Sequence, residues 1–170
     1  LRNRLRAERR AHVAALPDGI RALLFMRPPR PIVDMIPQGA IIGFYCATEN
    51  EAPTAAYARF FHEAGHQTSL PRFANRDSAM EFAAFNDPFG ETDLAEGPYR
   101  IMQPEESAAV VTPDVLFVPL VGFTADGHRL GQGGGHYDRW FEANPTAMAI
   151  GLAWDCQLTE TLPLEQHDHP

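Results

Sequence analysis

The sequence contains no lysine, so all 14 of its basic side chains are arginine. This excludes a P-loop, whose GxxxxGK[ST] pattern needs a lysine on the β- and γ-phosphates. Cysteine is nearly absent as well. Cys46 and Cys156 form no CxxC pair and no zinc spacing, so the chain has neither a disulfide framework nor a structural zinc motif. A reduced, cytoplasmic protein is expected. No apolar run approaches the ~20 residues of a membrane span, and the charged start lacks the apolar stretch of a secretory leader. The 22 acidic residues outnumber the arginines and leave a net charge of −8, which argues against nucleic acid as a bulk partner. That balance is uneven: Arg2, Arg4, Arg6, Arg9 and Arg10 crowd the first ten residues beside a single Glu8. At 170 residues, 45% hydrophobic and 21% charged, the chain reads as one globular domain. It opens on Leu1 and stops at Pro170, and further native residues are expected at both ends.

Glycine is what the chain concentrates. Four glycines occupy the five positions 131–135, followed by His136-Tyr137-Asp138-Arg139. Without Cβ atoms such a loop takes positive φ and lets a ligand approach the backbone. Its N–H groups then converge as phosphate oxygens require. Tyr137-Asp138-Arg139-Trp140-Phe141 reads as a helix start, which places the loop at a positive dipole end, and Asp138 offers a hard oxygen ligand for Mg2+. The dinucleotide fingerprint GxGxxG begins at Gly131-Gln132-Gly133 but meets His136 at its last glycine, and it lies in the final third of the chain. A plain surface loop or hairpin turn is the competing reading. The apolar run Val115–Val118 upstream and the helical segment downstream favour a ligand loop at a strand's carboxyl end.

Along the chain, residues 1–16 read as a helix and Ile20–Met26 as a short second one, ended by Pro28-Pro29. Ala40–Tyr45 is a buried strand. Asn50 or Glu51, ahead of Pro53, predicts a helix start there, running to about Glu63. Strands are expected at Gln67–Leu70, closed by Pro71-Arg72, at Met80–Phe85, at Tyr99–Met102 within an otherwise looped 91–114, at Val115–Val118 and at Ala147–Gly151. The alternation predicts an α/β domain with a mainly parallel sheet.

Three clusters compete for a place beside the glycine loop. Arg2, Arg6 and Arg9 share a helix face and form either a phosphate clamp or a solvated basic surface. Glu51 follows the first strand, where ligand contacts gather, yet taken alone a helix-dipole role is the better reading. In Glu165-Gln166-His167-Asp168-His169, Asp168 is the preferred oxygen ligand to join Asp138 around Mg2+. The histidines read individually as surface or packing residues.

Val118-Pro119-Leu120-Val121-Gly122-Phe123, Gly127-His128-Arg129-Leu130-Gly131 and Gly133-Gly134-Gly135-His136-Tyr137-Asp138-Arg139 together resemble the 5-formyltetrahydrofolate cyclo-ligases, also called methenyltetrahydrofolate synthetases. Support comes from Ile150-Gly151-Leu152-Ala153, from Leu162-Pro163-Leu164-Glu165-Gln166-His167-Asp168, from Leu1-Arg2 with its arginine-rich helix, from Tyr45 followed by Asn50-Glu51 and Thr54, and from Leu70-Pro71-Arg72. The match runs in order over nearly the whole chain, and its glycine block is the specific part.

The resemblance implies a three-layer α/β/α sandwich like the sugar-phosphate isomerase and CoA-transferase group, in a monomer or weak homodimer. It implies Mg-ATP and 5-formyltetrahydrofolate as ligands. The formyl oxygen would attack the γ-phosphate, and the 10-nitrogen would then close the ring to give 5,10-methenyltetrahydrofolate, ADP and phosphate. Positioning and charge neutralisation suffice for such chemistry. ATP is implied at Arg2, Arg6, Arg129, Leu130, Gly131, Gln132, Gly133, Gly134, Gly135, His136 and Tyr137, with Arg129, Gln132 and Tyr137 as the catalytic residues. Folate is implied at Cys46, Glu51, Tyr99 and residues 132–136, with Glu51 accepting from the pterin N–H groups and Tyr99 stacking. Mg2+ is implied at Asp138 and Asp168. The chain departs from the family pattern at His136, where Tyr or Phe is usual, at Gln132, where some relatives carry arginine, and at Pro53 and Thr124, where acidic residues are common. A non-catalytic folate- or nucleotide-binding relative, or a sugar-phosphate isomerase independent of ATP, are the alternatives.

Overall fold

The computed structural model describes residues 1–90 and 92–163. In chain order the helices and strands are α1 (Arg2–Ala15), α2 (Asp18–Leu23), α3 (Arg30–Met35), β1 (Ile41–Gly43), α4 (Ala55–Glu63), β2 (Gln67–Arg72), β3 (Glu81–Ala84), β4 (Leu94–Glu96), β5 (Met102–Pro104), β6 (Val110–Val111), β7 (Val115–Pro119), β8 (Gly122–Phe123), β9 (Arg129–Leu130), α5 (His136–Ala143) and β10 (Met148–Leu152). Six strands form the central sheet in the order β10-β7-β1-β2-β3-β6. The first four run parallel, and β3 pairs antiparallel to both β2 and β6. The expected α/β class with a mainly parallel sheet is present.

Strand β7 shows why the sheet carries helices on both faces. Side chains alternate across a strand, so Val115 and Phe117 enter one apolar cluster while Leu116 and Val118 enter another. Tyr57, Ala58 and Phe61 of α4 fill the first cluster, where Phe117 stacks on Phe44 at 5.2 Å. Trp140 and Phe141 of α5 fill the second, with Trp140 edge-on to Phe82 at 5.3 Å. A strand buried on both faces reads as a continuous apolar run, and Val115-Leu-Phe-Val118 is one.

Several boundaries differ from the sequence expectation. The helix after Pro53 starts only at Ala55, with Thr54 at the N-cap position but making no side-chain bond to the helix. The Thr54 hydroxyl donates to the Tyr45 carbonyl at 2.6 Å and the Tyr45 phenol donates to the Ala52 carbonyl at 2.6 Å, which holds residues 45–54 as a braced loop. β2 continues through Pro71 and Arg72. Beyond Ser69 no register with β1 remains, so Pro71 sits at a free edge where its missing N–H costs no ladder bond. The strand placed at Tyr99–Met102 lies instead at Met102–Pro104, paired with β4. Pro28-Pro29 ends one helix but also introduces α3, which carries a proline in its first turn, where the absent N–H is harmless.

Phe117→Ala should cost about 3–5 kcal/mol of unfolding free energy, the range for emptying a buried aromatic site, since this side chain is 1% exposed and touches Phe44, Tyr57 and Phe61. Urea denaturation checks it; a loss under 1 kcal/mol would contradict the packing described.

Candidate functional site

The crossovers from β1 and β7 leave in opposite directions. α4 covers one face and α5 the other, so the carboxyl ends of these two paired strands bound an open crevice, the topological switch point where α/β proteins bind ligands. The loop after β1 carries Cys46 and Glu51. The chain after β7 forms the β8–β9 hairpin and then the glycine loop. The glycine loop therefore leaves from a short hairpin rather than from β7 itself. A cavity of about 460 Å3 opens between these segments, lined by Tyr45, Cys46, Glu51, Arg129, Gln132 and Tyr137 among others.

Two buried side chains hold the mouth in shape. Gln157 is 1% exposed, and its amide nitrogen donates to the carbonyls of Leu120 (2.8 Å) and Val121 (3.1 Å), while its oxygen accepts from the Trp154 N–H at 2.9 Å. The Trp154 indole donates to the Asn50 carbonyl at 3.1 Å. One turn after β10 thus fastens the loops that follow both β7 and β1.

Helix α1 brings the arginines. Leu5 is buried against Val121 and Leu130, and a Cβ on Gly122 would stand 2.7 Å from Leu5 Cδ1, so glycine there permits the helix to lie this close. Arg2 Nε donates to the Gly131 carbonyl at 3.0 Å. Arg6 Nη2 donates to the Gln132 carbonyl at 2.9 Å and to its side-chain oxygen at 3.0 Å. Arg9 is buried, reaches the Leu120 carbonyl at 3.4 Å and lines the cavity. The solvated-face reading therefore fails for the buried Arg9, whereas Arg6 is half-buried and Arg2 is exposed, both bonded to the glycine loop. The face that does meet water carries Arg4 and Glu8, paired at 3.5 Å.

Glu51 is no helix-dipole partner, because α4 begins four residues later. It is 8% exposed; Oε2 accepts from the Thr48 N–H at 2.8 Å and Oε1 from the Gln132 amide at 2.9 Å. Tyr137 borders the same space. Burial first, and Glu51 second, push its phenol well above the ordinary range, so it remains a neutral O–H donor. The Tyr45 phenol is raised for the same two reasons.

Gly133 and Gly135 take φ of 109° and 63°, the left-handed region that favours glycine, and so turn the loop into α5. Arg129 is 7% exposed and its Nη2 donates to Asp138 Oδ1 at 2.5 Å, leaving its Nε without a protein partner among the described residues. This places a buried guanidinium beside the glycine loop, and guanidinium groups pair well with carboxylate and phosphate oxygens. His136 packs edge-on to Phe73 at 4.9 Å and at 5.7 Å from Tyr99, which itself meets Phe73 at 5.0 Å. Leu130 faces the core under α1 rather than the cavity. Thr124 bonds Asp126 in the β8–β9 turn, and Asp168 lies outside the described residues. No group of three or more His, Cys, Asp or Glu positioned for a metal occurs among the described residues. Sequence reasoning did not assign Phe73, Met80, Ile101 or Met102 to the site, yet all four line the cavity. The signal for Phe73 was its place directly after the strand end at Arg72.

The arrangement defines an α/β protein whose arginine-backed glycine loop and buried Glu51 carboxylate meet at one switch-point cavity. A sequence model of the 5-formyltetrahydrofolate cyclo-ligase family matches residues 1–170, and the chain belongs to that family. A 5-formyltetrahydrofolate cyclo-ligase of Haemophilus influenzae is 40% identical over 86 residues, covering 47% of this chain and 46% of the relative. One from Saccharomyces cerevisiae is 33% identical over 144 residues, covering 71% and 67%. The match thus spans about half the length of the Haemophilus relative. A solved 5,10-methenyltetrahydrofolate synthetase from Aquifex aeolicus superposes with a TM-score of 0.73 over 100% of this chain and 86% of its own, at 24% identity, which bears on the fold.

Burial, and then the Arg139 charge, lower the His136 pKa below its usual value. The unfolded chain then binds the proton more readily, so His136 withdraws stability as pH falls below about 6.5, the ordinary histidine value. His136→Phe should flatten the pH dependence of the urea midpoint between pH 7 and 5. An unchanged slope would show that this ring does not titrate against its surroundings.

Proposed function

We propose that the protein converts 5-formyltetrahydrofolate to 5,10-methenyltetrahydrofolate with ATP as phosphoryl donor, releasing ADP and phosphate. The observation that carries this reading is the convergence of the arginine-backed glycine loop and the buried Glu51 carboxylate on one cavity. The fold would be the three-layer sandwich of the sugar-phosphate isomerase and CoA-transferase group.

Glu51 and the apolar wall beyond it suit the pterin end of a folate. Its carboxylate accepts from ring N–H groups, and Tyr99, Phe73 and His136 offer aromatic surface to the rest of the molecule. Arg2, Arg6 and Arg129 with the loop N–H groups would cradle the triphosphate and orient its terminal phosphorus toward the formyl oxygen. Tyr137, kept protonated by its burial, would donate to an oxygen of the reacting assembly. Asp138, in the first turn of α5, and Asp168 would hold Mg2+, which supplies neutralisation of phosphate charge when bound. Arg129 would then exchange its Asp138 contact for phosphate oxygen. No protein nucleophile is required, and the family's reaction depends on positioning and electrostatics.

Incubation with 5-formyltetrahydrofolate, Mg2+ and ATP should produce the methenyl-folate absorbance band, with none in the absence of ATP. Glu51→Gln should lower kcat/KM for the folate by roughly tenfold or more, the scale of one charge-assisted hydrogen bond, with little change in the KM for ATP. A flat trace from folded protein that binds the folate would overturn the catalytic reading, and a loss confined to ATP would overturn the role of Glu51.

A further inference from the structure

We infer that Gln132 couples the two halves of the site, holding the Glu51 acceptor capped until an anion engages Arg6. The inference rests on the folate reading of Glu51 given above. Gln132 is exposed, yet its amide bridges two charged groups on different segments of the chain. Its Oε1 accepts from Arg6 Nη2 at 3.0 Å and Nε at 3.3 Å, while its Nε2 donates to Glu51 Oε1 at 2.9 Å. The charges fix the amide's orientation, because a flipped amide would point donor at guanidinium and acceptor at carboxylate. Of the two Glu51 oxygens, Oε2 is held within its own loop by the Thr48 N–H. Oε1 is the one spanned from across the cavity, by a residue of the glycine loop.

This geometry sets up a competition. A ligand that presents N–H donors to Glu51 has to displace the Gln132 amide. A polyphosphate that draws the Arg6 guanidinium removes the partner of the amide oxygen and weakens its hold on Glu51. Phosphate binding therefore lowers the cost of releasing Oε1, and each ligand favours the other. Such coupling is reciprocal by linkage. Breaking one hydrogen bond to a charged group sets its scale at about tenfold. Gln132 acts here as a positioning residue that works through Glu51 and Arg6.

The test is a titration of 5-formyltetrahydrofolate into the protein, followed by tryptophan fluorescence, with and without Mg2+ and a non-hydrolysable ATP analogue. In the wild type the analogue should tighten folate binding about tenfold. Gln132→Met keeps the side-chain length but removes both the amide donor and the amide acceptor. It should bind folate about tenfold more tightly than wild type without the analogue, and adding the analogue should change little. Both ligands binding with the same coupling in variant and wild type would overturn the bridge alone. Weaker folate binding by Gln132→Met without the analogue would also overturn it, since the amide would then be a folate ligand rather than a cap. A wild type that binds neither ligand would sink the folate reading and this inference together.

Discussion

The parallel pairing of β1 with β7, Ile42 beside Val115 and Gly43 beside Leu116, is the constraint on which the rest of the site depends. Because α4 and α5 return on opposite faces, neither helix covers the carboxyl ends of this strand pair. Glu51, Gln132 and the first turn of α5 reach that opening from loops or a helix end, Arg9 from within α1 and Arg129 from β9. The sheet supplies rigidity. Phe44, Phe61, Phe117, Phe82 and Trp140 fill its two faces.

Holding two loops open at a crevice requires polar groups to be satisfied without closing it. Gln157 and Trp154 do this from beneath, by donating to main-chain carbonyls of both loops, while the Gln157 oxygen accepts from the main chain of its own turn. From above, α1 contributes arginines instead of a hydrophobic cover. Its apolar contacts through Leu5 and Val13 are few, so docking of this helix relies on guanidinium bonds to the carbonyls of Leu120, Gly131 and Gln132. Those bonds orient the glycine loop's carbonyl groups toward α1. An arginine surface that would otherwise repel itself is thereby tied to the glycine loop.

Much of this was legible from the residues. The continuous apolar run at Val115–Val118 identified a strand, and the density of glycine at 131–135 identified a loop able to take positive φ. Spacing placed Arg2, Arg6 and Arg9 on one helix face but left open whether that face met water. The answer depended on Leu5 packing against Val121 and Leu130, contacts separated by more than a hundred residues. The two-residue strands β8 and β9 are too short to show periodicity, although Asp126-Gly127 between them is a turn signal. The delayed start of α4 follows from the Tyr45, Ala52 and Thr54 bonds, a tertiary brace that propensity does not report. The placement of Asp138 beside Arg129, nine residues away, likewise depends on how the loop folds back.

The central claim is that the arginine face of α1 and the glycine loop form one anion site. Calorimetric titration of Mg-ATP into wild-type protein and Arg2→Ala, with the folate titrated in parallel, addresses it most directly. The account predicts roughly tenfold weaker nucleotide binding, the scale of one charged hydrogen bond, with folate affinity unchanged. Full ATP affinity in Arg2→Ala would contradict it and return this arginine to a purely structural role on the helix.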